Sequence, residues 1–207
     1  MNHRSLNLFG LIAPIWLLVG VTVAGILYPG YSHYNQAMSE LHAIGSPIQS
    51  ISPFINNYPL GILFIGFGLF LFSSIKNAPS KVSSVMIIFH GLGSITAGYF
   101  PCDEGCNPES TSFNQTMHGV GAVIMTLTFL IVPAIWAFIS KKVLNNKWFG
   151  WVSIACVLFQ IAIMPLMGQA LESGVGFGLY QRFGYGIPMI WLLLFSALLL
   201  KRIGHPS

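Results

Sequence analysis

The sequence predicts an all-α membrane protein. It reads as one bundle of six transmembrane helices over residues 1–207, with both termini inside and a short amphipathic helix in the first outer loop. Three observations predict it. Hydrophobic residues make up 54% of the chain and charged residues only 7%, against about 25% charged in a soluble domain. Six apolar runs are long enough to cross a hydrocarbon core about 30 Å thick, which takes about 20 helical residues. The basic residues gather in alternate turns.

The runs are roughly Leu8–Tyr28, Tyr58–Ile75, Val82–Tyr99, His118–Ile139, Trp148–Met167 and Phe183–Leu200, and none contains Asp, Glu, Lys or Arg. Tyr28-Pro29-Gly30, Tyr99-Phe100-Pro101 and Met164-Pro165 are expected to stop or kink the odd-numbered spans, because proline removes a helical hydrogen bond. Arg4 and the small residues Val23-Ala24-Gly25 resemble parts of a signal peptide, but the apolar stretch is too long for one. The first run is therefore expected to stay as an anchor.

Eight of the nine basic residues (Arg4, Lys76, Lys81, Lys141, Lys142, Lys147, Lys201 and Arg202) fall on one side of this arrangement. Arg182 and all five acidic residues, Glu40, Asp103, Glu104, Glu109 and Glu172, fall on the other. Positive loops stay cytoplasmic, so the expected setting is a cell membrane with cytoplasmic termini and extracytoplasmic acidic loops. The net charge of +4 forms no patch that would hold nucleic acid.

The first outer loop runs from Pro29 to Asn57. Ser32 is placed to cap a helix from His33. Ala37, Met38, Leu41 and Ile44 then share an apolar face, and Gly45-Ser46-Pro47 ends it. Such a helix lies on the membrane surface or folds as a lid over the bundle. Spans two and three are rich in small residues (Gly61, Gly66, Gly68, Gly91, Gly93, Ser94, Ala97, Gly98), which places them at the bundle centre with close backbones. His90 lies nine residues before Tyr99, so it sits roughly 13 Å deep. A polar group there is a functional candidate. The reading favoured for it is a neutral histidine bonded to a carbonyl or hydroxyl of a neighbouring helix.

The second outer loop, Gly98 to His118, holds Cys102 and Cys106, which outside the cytoplasm are expected to form a disulfide. The competing idea is zinc held by Cys102, Cys106, His118 and a carboxylate, although structural zinc usually shows shorter, paired cysteine spacing. No other cofactor is indicated. Asn114 or Thr116 is expected to cap span four and leave His118 at the outer mouth. Cys156 falls mid-span as a buried thiol. The last outer loop, Gln169 to Gly184, contains Glu172 and a glycine-rich run that reads as a flexible turn. Arg182 is expected to pair with Glu172, Glu40, Asp103 or a lipid phosphate.

Tyr28-Pro29-Gly30-Tyr31-Ser32, Ser39-Glu40-Leu41, Gly45-Ser46-Pro47 and Phe100-Pro101-Cys102-Asp103-Glu104-Gly105-Cys106, with His118 beyond, resemble the six-span prokaryotic proteins of domain of unknown function family 998. The resemblance covers nearly the whole chain. It implies the six-span fold and no activity.

Two functional readings follow. In the first, the protein is an outer-facing binding or accessory module for a membrane lipid or small amphiphile, with Arg182, Glu172, His33 and Glu104 as ligand-binding candidates. In the alternative it is a membrane-embedded, metal-assisted hydrolase or transferase. There His42 or His118 acts as base or metal ligand beside Glu40 or Asp103.

Overall fold

A computed structural model of the chain describes residues 3–204, and the side chains of Arg4 and Arg202 lie outside that description. Seven helices follow in order: α1 (His3–Leu27), α2 (Ser52–Ile55), α3 (Asn57–Ser74), α4 (Ala78–Tyr99), α5 (Phe113–Leu144), α6 (Lys147–Ser173) and α7 (Phe177–Gly204). Single 3-10 turns lie at Met38–His42 and Glu104–Cys106, and there is no strand among the described residues. Six helices are long and apolar enough to cross a membrane, with short α2 leading into the second of them. The protein is a polytopic helical bundle.

The long helices form a closed ring in chain order. Each of α1, α3, α4, α5 and α6 packs on the next, and α7 returns to α1. One end of the ring carries residues 28–56, 100–112 and 174–176, and the other carries the start of α1, the end of α7 and the short lysine-bearing turns. These are the loop end and the terminal end.

Local chemistry sets the helix limits. The side chains of Asn77, Ser112 and Asn146 accept hydrogen bonds from the amides of Ser80, Gln115 and Phe149, capping α4, α5 and α6. Ser112, rather than Asn114 or Thr116, therefore starts α5, and His118 falls in its second turn. Pro165 does not end α6; that helix runs on to Ser173 and closes on Gly174 at φ 70°. The expected sixteen-residue loop from Gln169 to Gly184 shrinks to Gly174–Gly176, so Glu172 and Arg182 both stand on helices.

Small residues bring the backbones together, as their spacing predicts. A methyl group on Gly91 would lie 2.6 Å from the Gly61 carbonyl, and one on Gly121 2.7 Å from the Gly93 carbonyl. α4 is thereby clasped between α3 and α5. Ser94 Oγ donates to the Asn57 carbonyl at 2.8 Å across the first of these contacts.

The two halves of the ring are filled differently. Toward the terminal end the interior is packed with aromatic rings. Phe195 of α7 meets Phe67 of α3 at 5.9 Å, Trp136 of α5 at 4.4 Å and Phe149 of α6 at 5.4 Å. Toward the loop end the interior is open, and the loops roof it.

The roof is not the amphipathic α-helix expected from His33. Ser32 Oγ does accept from the Asn35 amide at 3.2 Å, but the chain then turns. The Glu40 carboxylate folds back onto the Ala37 amide at 2.7 Å and the Gln36 side chain at 3.0 Å. Only the 3-10 turn Met38–His42 is helical. Leu41 is fully buried with Val21, Ala24 and Ile48, so the apolar face covers the bundle instead of a membrane surface. The Ile44 amide donates to the Cys102 carbonyl at 2.8 Å, joining the two loops.

Gly91→Leu is expected to destabilise the bundle by about 1–3 kcal/mol or prevent folding, because a backbone carbonyl cannot give way. Gly119→Ala, where a methyl group would meet nothing within 4 Å, is expected to leave stability unchanged. Thermal unfolding in detergent checks both.

Candidate binding cavity

The open half of the ring encloses a cavity of about 410 Å³. Every long helix lines it, through Leu17, Leu60, Ala97, Ala122, Ile163 and Tyr185, and Met38, Ser39, His42 and Cys106 form its roof. Polar side chains also face it, among them Asn56, Gln115, His118, Gln160 and Gln181, but no Asp, Glu, Lys or Arg does.

Hydrogen bonds fix what these groups offer. Gln115 Oε1 accepts from the Asp103 amide at 3.0 Å and Gln181 Oε1 from the Met38 amide at 2.6 Å, so each side-chain NH₂ is left without a protein partner. Gln160 donates its NH₂ to the Gly184 carbonyl, which leaves its oxygen. His118 Nδ1 faces the carbonyls of Ala97 at 3.1 Å and Phe100 at 2.9 Å. Two acceptors require the proton on Nδ1, so Nε2 keeps a lone pair. The wall thus offers neutral donors and neutral acceptors on an apolar surface.

Tyr185 also starts a chain of bonds that leaves the cavity. Thr128 donates its one hydroxyl proton to the Met125 carbonyl at 2.8 Å, so it accepts from His90 Nδ1 at 2.7 Å. His90 Nε2 then accepts from the Tyr185 hydroxyl at 2.7 Å. The His90 ring lies between Phe64 and Phe129, each 4.1 Å away. His90 is therefore a neutral histidine satisfied by hydroxyls of α5 and α7, as favoured from its position. The chain ends on a backbone carbonyl.

Over residues 11–198 the sequence matches the family described as "Protein of unknown function (DUF998)". The chain belongs to this family. No curated protein and no solved structure matches it.

The DUF998 fold brings together some of the residues singled out from sequence and separates others. His42 and His118 both line the cavity. His42 Nδ1 lies 2.8 Å from the Gln49 carbonyl, while its buried Nε2 has the Gly98 backbone near it but no well-formed hydrogen bond. Burial pushes the His42 pKa down, and the Gln49 carbonyl opposes this. The carboxylates stand elsewhere. Glu40 braces the first loop, as described above. Asp103 accepts from the hydroxyls of Ser110 and, at 2.9 Å, Ser112, which tightens the second loop. Glu104 and Glu172 are exposed.

Cys102 and Cys106 are joined as a disulfide, so neither is free to bind zinc. Among the described residues no three His, Cys, Asp or Glu side chains come together as a metal-ligating set.

Arg182 pairs with no carboxylate, because no ion pair forms among the described residues. Its Nη1 donates to the carbonyls of Gln36 at 3.1 Å and Gly178 at 2.8 Å. Its Nη2 donates to the Tyr31 hydroxyl at 2.8 Å and lies 3.1 Å from His33 Nδ1, which must accept. The Tyr31 hydroxyl passes its own proton to the Ala37 carbonyl at 2.7 Å. Burial lowers the His33 pKa and the Arg182 charge lowers it further. Arg182 is thus a clasp between α7 and the roof. It does not line the cavity.

Sequence reading passed over Asn56, Gln115, Gln160 and Gln181. Only Gln160 carried a usable signal, as an amide in the middle of an apolar run.

The lowered His42 pKa has a sign. A buried neutral imidazole contributes stability that is fully present above the ordinary value of 6.5 and is lost as pH falls through the lower folded value. Amide exchange in residues 38–49, corrected for intrinsic rates, is expected to speed up below pH 6.5, and His42→Asn to flatten that dependence. Arg182→Lys, which cannot reproduce the forked contacts, is expected to loosen residues 31–37 by about 1–3 kcal/mol in the same measurement.

Proposed function

We propose that this protein is a membrane-embedded binding module for an uncharged small amphiphile, held in the loop-end cavity. That end faces the outside of the cell, and both termini are cytoplasmic. The orientation is supported by the lysines, since Lys76, Lys81, Lys141, Lys142, Lys147 and Lys201 all lie at the terminal end.

The observation that carries the binding reading is the chemistry of the wall. A cavity of about 410 Å³ falls within the roughly 300–1,000 Å³ of small-molecule sites, which are mostly apolar with a few placed polar groups. Methionines at positions 38, 125, 164 and 167 add an adaptable lining. Buried charge is costly without a counter-charge, and none is offered, so the bound head group is neutral. The aromatic packing of the terminal half favours a site over a through-path. Metal-assisted hydrolysis is less well supported, because Glu40 and Asp103 are engaged away from His42 and His118.

Native mass spectrometry of the protein in mild detergent tests the reading. The expected result is a small-molecule adduct that solvent extraction identifies as uncharged and amphiphilic. Ala122→Phe, which fills the cavity, is expected to cut occupancy by about tenfold, while Arg182→Lys keeps the adduct. An empty cavity or an anionic ligand overturns the proposal.

A further inference from the structure

Five of the six seams around the cavity are closed by contacts in the loop half. Trp16 Nε1 donates to the Ile55 carbonyl at 2.7 Å between α1 and α2, the short helix that leads into α3. Gly61 and Gly91 close α3 on α4, and Gly93 and Gly121 close α4 on α5. Gln160 bonds the Gly184 carbonyl between α6 and α7. Arg182 and the first loop close α7 on α1.

The sixth seam differs. α5 and α6 meet near the terminal end, where a methyl group on Gly150 would lie 3.1 Å from the Ala137 carbonyl. In the loop half, a methyl group on Gly119 of α5 or Gly168 of α6 would meet nothing within 4 Å. Thr126 of α5 and Met164 of α6 line the cavity and are nevertheless exposed, Met164 by 39%. Both therefore stand at an opening in the wall.

The depth of that opening says what it meets. Thr126 lies 15 residues from Lys141, and Met164 lies 17 from Lys147. At 1.5 Å per residue they sit roughly 23 and 26 Å from the lysine-marked face. A hydrocarbon core is about 30 Å thick. The opening is therefore below the head groups, among the acyl chains of the loop-side leaflet. Its lips suit that setting. The Thr126 hydroxyl is spent on the Ala122 carbonyl at 2.9 Å, leaving the methyl group outward, and Met164 is a thioether.

We infer that the cavity loads sideways from the loop-side leaflet through the gap between α5 and α6, and that its occupant is a single-chain lipid with an uncharged, hydrogen-bonding head. This rests on the binding reading above. The head lies among the unpaired groups of Gln115, Gln181, Gln160 and His118, and the chain leaves between Thr126 and Met164 into the bilayer. A neutral head needs both donors and acceptors, and these four residues supply both.

The test uses the full chain in proteoliposomes with a diazirine-bearing monoacylglycerol, and with a diazirine-bearing lysophosphatidate as the anionic counterpart. After photolysis, labelled positions are mapped by peptide mass spectrometry. The neutral probe is expected to label residues 115–126 and 160–167 at cavity-facing positions, and the anionic probe not to. Thr126→Trp and Met164→Trp are each expected to lower that labelling by about tenfold. Leu158→Trp, at an exposed α6 position outside the cavity lining, is expected to leave it unchanged and controls for folding. If Ala122→Phe abolishes labelling while both lip variants label like the wild type, lateral loading is wrong and the binding reading stands. If the wild type is labelled no more than Ala122→Phe, the binding reading itself fails.

Discussion

Hydrocarbon offers no partner to a polar group and no counter-charge to an ion, so a helix ring inside it must settle its polar contacts with neutral groups. Much of the ring follows that constraint, although Asn7 Oδ1, Trp136 Nε1 and Ser196 Oγ are buried without a partner. His90 sits deep in the ring and is satisfied by Thr128 and Tyr185. Asn57 and Ser94 answer each other across α3 and α4. Trp191 donates to Ser153, and Asn7 to the Ser196 carbonyl. Arg182 stays at the loop end, where carbonyls and a phenol surround it. The terminal half sets its polar groups among packed rings, while the loop half remains open.

The roof and the cavity are linked by the same hydrogen bonds. The Met38 amide takes the oxygen of Gln181, and the Asp103 amide takes the oxygen of Gln115. Each bond pins a loop to a helix. Each also turns the remaining NH₂ free of the protein, so folding of the roof decides which end of the amide faces the cavity. The clasp of Arg182 on Gln36 and Tyr31, and the bond from Ile44 to Cys102, hold those loops in place. Residues that never touch the cavity therefore set its polarity.

Much of the fold was legible in the sequence, because the signals behind it are local or periodic. Apolar runs of helical length give the spans, small residues four apart give the close contacts of α4, and the short cysteine spacing gives the disulfide. The failures have physical causes. Pro165 read as a stop or a kink, and the stop does not occur, because a proline inside a membrane helix is tolerated where neighbours re-satisfy the freed carbonyl. The helix ran two turns further and the last loop nearly vanished. The first loop carried a helical apolar pattern, but Glu40 found the Ala37 amide and tightened the chain into turns. Arg182 read as the partner of a carboxylate or a lipid phosphate because sequence displays charges and conceals carbonyls. The cavity was the least visible feature. Its walls come from six helices, and ordinary glutamines such as Gln115 and Gln181 matter only through the loop amides that orient them.

On the binding reading proposed above, charge exclusion supplies the selectivity that apolar walls lack. An acyl chain passing from the leaflet to the apolar walls exchanges one apolar surrounding for another, whatever head it carries. An ionised head brought among His118, Gln160 and Tyr185 would lose its hydration and meet no opposite charge, at an effective cost of several kcal/mol. A hydroxyl or ester head loses less and recovers hydrogen bonds from the same groups. On the reading proposed above, that difference is enough to reject the charged lipids of a bilayer by orders of magnitude. A site of this kind needs no cationic clamp. Its discrimination rests on what the ring leaves out, and that omission is the same one that lets six helices stand in hydrocarbon.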